Sequence, residues 1–271
     1  MDRLEKLGTT AAVAFAALTV LSLDSGLKVV AIGWTAFAAM AMGGLAAGRA
    51  LESRRAMVWS YGLSGGAALA SVLFFVMPQA LSLSTELGVT GILFGFLSGL
   101  ALHTLSHEIS HHSKGMNTLW SVTIHSLFAG VVIGLIYQQM PSVSVLLGVA
   151  IVSHKLPAGY MIADRLRKDE KTFWKMLLLP ASGLGLMALL SFNYPVMLSD
   201  AGKALFFGFS TGIFLHVALD FLPDPEPESH LRKLMCDKED PFHDQLDDIR
   251  MDSIASTVTG AAIVTALALL L

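Results

Sequence analysis

Two apolar stretches each carry one histidine in a nearly uncharged setting. The first reads Ile124-His125-Ser126-Leu127-Phe128-Ala129-Gly130, the second Ser153-His154-Lys155-Leu156-Pro157-Ala158-Gly159. They share a His…Ala-Gly pattern. Ionisable groups are costly in hydrocarbon, so they normally face a cavity, a partner or an ion. A single buried histidine is usually satisfied by a carbonyl or by a hydroxyl such as Ser126 or Ser153. Two of them in matching motifs point to a shared task, and neutral imidazole is a common ligand for zinc and related metals. Lys155 stands beside His154, about 100 degrees further around a helix, so both can border one cavity. Its ammonium would repel a nearby metal and calls for a partner: Asp220, Asp164 or a bound anion. The bland alternative is a lysine that snorkels to an interface. Pro157 and Gly159 are expected to loosen the helix around His154 and free carbonyls toward the cavity.

Three further groups have ligand chemistry. His103, His107 and His111 are spaced i, i+4, i+8 and line one helical face. They suit a metal, and they equally suit a wet helix end, with His112 the most exposed of the run. The same stretch spells His107-Glu108-Ile109-Ser110-His111, the letters of H-E-x-x-H. On a helix that motif places two histidines on zinc with the glutamate as general base. His216 and Asp220 are one turn apart, as a metal-binding pair or a proton relay would be. A helix end stopped by Pro223 accounts for Asp220 as well. His230 and His243 lie in a polar segment and read as solvated side chains.

The elements that must position these residues follow from composition. Of 271 residues, 54% are hydrophobic and 14% charged, against about 25% charged in soluble domains. The chain is therefore read as an integral membrane protein in contact with the lipid bilayer. A net charge of −3 without a basic cluster excludes nucleic acid as a partner, and the single cysteine, Cys236, excludes an intrachain disulfide. A span needs about 20 mostly apolar residues. Nine stretches qualify: 7–23 (the least secure), 28–48, 57–77, 88–110, 118–138, 143–163, 174–192, 202–222 and 253–271. Arginine and lysine gather at 49–55 and 164–175 and are missing from 79–87 and 139–142. That bias places the N-terminus inside. Small-residue runs such as 43–48 and 64–68 let helix backbones approach closely in lipid.

These residues together resemble the ZIP (Zrt/Irt-like) metal transporters, especially bacterial members, over about residues 57 to 224. His125 with Ser126 and Ala129 is similar to the family's fourth-helix motif, His-Asn-x-Pro-Glu-Gly. His154 with Lys155 and Ala158 is similar to its fifth-helix motif, His/Gln-Asp/Glu-x-Pro-Glu-Gly. Ser64 to Pro78, Gly95 to Leu100, Ala181 to Leu184 and Gly208 to Asp224 resemble the second, third, sixth and seventh helices. The resemblance implies an all-α bundle of 8–9 transmembrane helices in one polytopic domain. Residues 1–56 would hold an extra N-terminal helix and the first core helix, 57–222 the core with the metal path. An acidic cytoplasmic loop at 223–252 and a last helix at 253–271 would follow.

What the resemblance implies about function is transport of Zn²⁺ or Fe²⁺ across a bacterial inner membrane, without catalysis. His125 and His154 would keep the ligands at mid-membrane. The departures are that alanines 129 and 158 replace the family's glutamates, Ser126 its asparagine, and Lys155 its acidic partner. Lys155 would fill the second-metal position, its ammonium standing in for that cation and leaving one histidine-based site. His103, His107, His111, His216 and Asp220 would pass the ion on. A homodimer is the candidate assembly. Two other readings stay open: a ZIP-fold metal sensor that transports nothing, and an intramembrane hydrolase built on His107, Glu108 and His111.

Overall fold

The structure, a computed structural model, describes residues 2–47, 54–109, 114–142, 144–152, 154–169, 173–194, 196–220 and 242–270. Backbone groups cannot be left unpaired in lipid, and helices satisfy them within one segment. Among the described residues the regular structure is all helical: α1 (Asp2–Leu21), α2 (Leu27–Ala46), α3 (Arg54–Ser71), α4 (Met77–Leu83), α5 (Thr85–Ile109), α6 (Lys114–Gln139), α7 (Val145–Val152), α8 (Lys155–Asp169), α9 (Phe173–Asn193), α10 (Asp200–Asp220) and α11 (Phe242–Leu270). Among the described residues, seven helical segments are long and apolar enough to cross a membrane. They fall on seven of the nine expected stretches, and the chain is an integral membrane protein.

The other two stretches are built differently. The fourth lies on α5, whose apolar portion is Thr85–Ala101. The sixth is divided between α7 and α8, with a turn at His154; residue 153 lies outside the described residues. Pro157 lies in the first turn of α8, where a missing N–H leaves no bond unmade. The helix thus starts anew at Lys155, two residues before the proline. A second irregularity has the same origin. Between α3 and α4, Val72–Val76 form a π-helical turn, and the Met77 N–H bonds back to the Val72 carbonyl. Pro78 cannot bond to the carbonyl four residues earlier and its ring crowds it, so the helix widens there.

Helix pairing is written in glycines. On the α5–α10 seam, a Cβ at Gly91 would stand 2.6 Å from the Leu205 carbonyl oxygen. On the α2–α8 seam, Gly43 faces the backbone of Leu156 and Gly159 faces that of Met40. Gly62 and Gly66 join α3 to α11, and Gly130 joins α6 to α9. In lipid such close backbone approach supplies the van der Waals contact that holds helices together.

Two apolar clusters fill the interior. The larger includes Ala36, Ala129, Val152 and Leu184; the smaller includes Met40, Leu119, Ala158 and Ala181. Four elements therefore run from one cluster into the other: α2, α6, the α7–α8 pair and α9. Where α6 and α7–α8 cross between the clusters they carry His125, Ser126, His154 and Lys155. The layer these residues form is consequently closed by hydrocarbon on both sides.

At one end of the bundle, the Gln138 amide donates to the carbonyls of Ser191 (3.2 Å), Phe192 (3.0 Å) and Tyr194 (2.6 Å). These are carbonyls at the end of α9, which have no further helical turn to bond them. Gln138→Leu is expected to leave them unsatisfied at a cost of about 1–3 kcal/mol. A lower melting temperature in detergent is the measurement that checks this.

Candidate metal centre

The α6 and α8 helices meet through a double pairing. His125 Nε2 and His154 Nε2 are 3.3 Å apart, and the rings are steeply inclined at 68°. One residue further along each chain, the Lys155 ammonium donates to the Ser126 hydroxyl at 3.0 Å. His154 and Lys155 are each 1% exposed and Ser126 is fully buried; His125 is partly buried. Neighbouring residues on one helix thus pair with neighbouring residues on the other, which fixes both rotation and register.

The imidazole separation has chemical content. Two nitrogens about 2.0–2.1 Å from one tetrahedral zinc lie about 3.3–3.4 Å from each other. A good hydrogen bond from a ring N–H is usually shorter, about 2.9–3.0 Å. The pair as it stands has the spacing of one edge of a tetrahedral site. Among the described residues no group of three or more His, Cys, Asp or Glu side chains could hold a metal ion, so this edge is what they provide.

One turn beyond each histidine comes its alanine. Ala129 and Ala158 are 2% and 3% exposed, each within a different apolar cluster. They place methyl groups one helical turn from the two histidines. Lys155 does not reach an interface, and the side chains of Asp164 and Asp220, its expected carboxylate partners, lie outside the described residues. The lysine ranks among the largest fully buried side chains, and its hydrogen-bond partner is the Ser126 hydroxyl. Helix α8 also begins at Lys155. The layer therefore receives the positive end of a helix dipole as well.

His216 approaches from α10. It is 7% exposed, with its ring edge-on to Phe96 at 5.9 Å between centroids. A Cβ at Gly99 would stand 2.7 Å from that ring, so Gly99 makes its seat. The sequence reading did not foresee this seat, although Gly99 sits in the glycine-spaced run of α5 that could have suggested it.

The remaining expected ligands are not brought to the layer by anything described. His103, His107 and Glu108 lie on the last turns of α5 and Asp220 ends α10, and their side chains fall outside the described residues, as do the side chains of Asp164 and His243. His111, His112, His230 and Cys236 lie outside the described residues altogether. The H-E-x-x-H letters therefore remain a sequence pattern without a described geometry. Comparison of the sequence with protein-family models and with curated proteins gives no match to either.

Proposed function

We propose that this protein is a divalent transition-metal transporter of the ZIP type, with one histidine-based site at mid-membrane. The observation that carries the reading is the facing pair of imidazole nitrogens, 3.3 Å apart in the interior of the bundle. It is supported by their place between two apolar clusters, where an ionisable pair without a task would be a pure cost. In this reading α7 and α8 form one broken span and α5 a full one, giving a ZIP bundle of nine crossings. Zn²⁺ or Fe²⁺ is the substrate. His125 and His154 hold it, and Lys155 supplies a fixed charge in place of a second metal. His103, His107, His111, His216 and Asp220 form the onward path.

Binding by imidazole alone sets a pH dependence. Only the neutral ring ligates, so protons compete with the metal. Uptake is expected to be retained at pH 7.5 and to fall once the pH is low enough to protonate the pair. Flux that is unchanged at every pH at which the protein stays folded would remove the histidines from the substrate path.

The deciding experiment is Zn²⁺ and Fe²⁺ flux in proteoliposomes, with metal content of the purified protein, for wild type and Lys155→Glu. Flux in wild type establishes transport. Flux in the variant alone makes the lysine a plug. One observation favours a second reading, a metal sensor of the same fold: Lys155 lies within the layer and Ala129 and Ala158 close it with hydrocarbon. Bound metal without flux in either protein would select the sensor.

A further inference from the structure

Helix α7 begins on a hydroxyl borrowed from another helix. At the starts of α2, α5 and α10 the residue before the helix accepts directly from the N–H four residues on. Gly26 takes that of Val30 at 2.9 Å, Ser84 that of Gly88 at 2.8 Å and Ser199 that of Lys203 at 2.8 Å. At α7 the matching pair is Ser144 and Gly148, and the Tyr137 hydroxyl of α6 bridges it. The hydroxyl donates to the Ser144 carbonyl at 2.7 Å and accepts from the Gly148 N–H at 3.1 Å. A side chain inserted into the backbone ladder opens a helical turn, and this one is 3% exposed. The two halves of the broken span are also seated differently on α2. Gly43 and Gly159 set α8 backbone against backbone, whereas a Cβ at Gly148 on α7 would meet the side chain of Ile32. Backbone cannot yield and a side chain can, so α8 is the fixed half and α7 the half free to move.

We propose that Tyr137 is a latch on α7. With its hydroxyl inserted, the half-helix is tied to the end of α6; with the hydroxyl withdrawn, α7 swings as a flap above the layer of His125, Ser126, His154 and Lys155. Irregular backbone inside a membrane is costly, because every N–H and C=O must find a partner within the protein. Here both positions meet that demand. Withdrawal leaves Ser144 and Gly148 to close an ordinary first turn, as at α2, α5 and α10, so the movement strands no backbone group. The flap is bounded by non-helical Ser144 at one end and by the turn at His154 at the other. Its eight residues pack on α2 and α3. The latch lies at the end of the bundle where Gln138 clasps α9, opposite the end where Lys175 meets Glu5. Opening therefore exposes the layer from one end alone. The device does not depend on what the layer carries.

The test uses the full-length protein in lipid nanodiscs, with its single cysteine removed as Cys236→Ser. Spin labels at Val145→Cys on α7 and Glu86→Cys, exposed at the start of α5, report the flap. Labels at Met161→Cys on α8 and Glu86→Cys report the fixed half. With Tyr137 in place a single narrow Val145–Glu86 distance is expected. Tyr137→Phe is expected to add a second, displaced population there and to leave Met161–Glu86 single. In separate samples, Ala129→Cys is treated with a water-soluble thiol reagent. Its reaction is expected to be at least about tenfold faster with Tyr137→Phe, since the open state sets the rate. An unchanged Val145 distance together with an unchanged thiol rate overturns the latch. Equal broadening of both label pairs, the sign of a general loss of packing, overturns it as well. Should Tyr137→Phe fail to fold, the unsubstituted protein decides. Amides of residues 145–152 are expected to exchange hydrogen at least about tenfold faster than those of residues 156–163, and equal protection of the two segments overturns the proposal.

Discussion

The double substitution His125→Ala/His154→Ala is expected to bring Zn²⁺ flux in proteoliposomes to background and to weaken metal binding at least about 100-fold. The size of the effect follows from ligand count. The two imidazoles face each other at 3.3 Å, and no larger group of ligands is formed among the described residues; a zinc site that loses both keeps no protein nitrogen at that position. Each single substitution should be nearly as severe, because one imidazole cannot form the edge alone. The three effects will therefore not add, as for groups that act as one unit. His154 is 1% exposed, so its truncation also leaves a void. Circular dichroism and a melting curve on the same sample separate lost metal from lost fold. Uptake that persists unchanged in a folded double variant would sink the assignment.

The second large effect is expected at a residue with no functional group. Gly159→Leu should lower the melting temperature sharply and weaken Zn²⁺ binding in the same protein. The first atom of any side chain at Gly159 would overlap the Met40 backbone, and Gly43 makes the reciprocal contact with Leu156. Backbone cannot swing aside as a side chain can, so α8 must move off α2. Overpacking a tight interior costs about 1–3 kcal/mol, and here the displaced helix is the one that begins at Lys155, directly after His154. Gly202→Ala is the matched control, because its Cβ would meet the Ser199 hydroxyl at an ordinary 3.4 Å. If Gly159→Leu kept both stability and affinity while folding normally, the α2–α8 seam would have no hold on the site.

The two results bear on what could be read from the chain before its fold was known. Long apolar runs mark helices because lipid leaves the backbone no other partner, so the positions of most spans were legible. The pairing of His125 with His154 was legible too, since matching motifs on two helices suggested one task. The partner of Lys155 was not. Electrostatics directs attention to carboxylates, whereas the choice of Ser126 depends on how α6 and α8 are rotated about their axes. Glycine-rich runs announced close approach without saying to what: Gly66 on α3 meets Thr257 on α11, far along the chain. The break before Lys155 was half legible, because Pro157 signals an interruption while helix geometry decides on which side it falls. The π-helical turn was overlooked, although Pro78 marks it.

The interrupted α7–α8 segment has a consequence for how the protein is made. Eight residues of α7 are too short to cross a bilayer, and α8 opens with a lysine. A lysine at the centre of a nascent helix is disfavoured by about 2.5–3.5 kcal/mol during translocon insertion. Release of this segment into lipid by itself would be poor. By then, however, synthesis has already delivered α2 and α6, which hold the groove for Gly159 and the hydroxyl for Lys155. The segment can enter the membrane against a template laid down earlier by the same ribosome. Changes at Ser126 or Gly43 would then appear first in cellular abundance, through quality control of chains whose α7–α8 segment never settles.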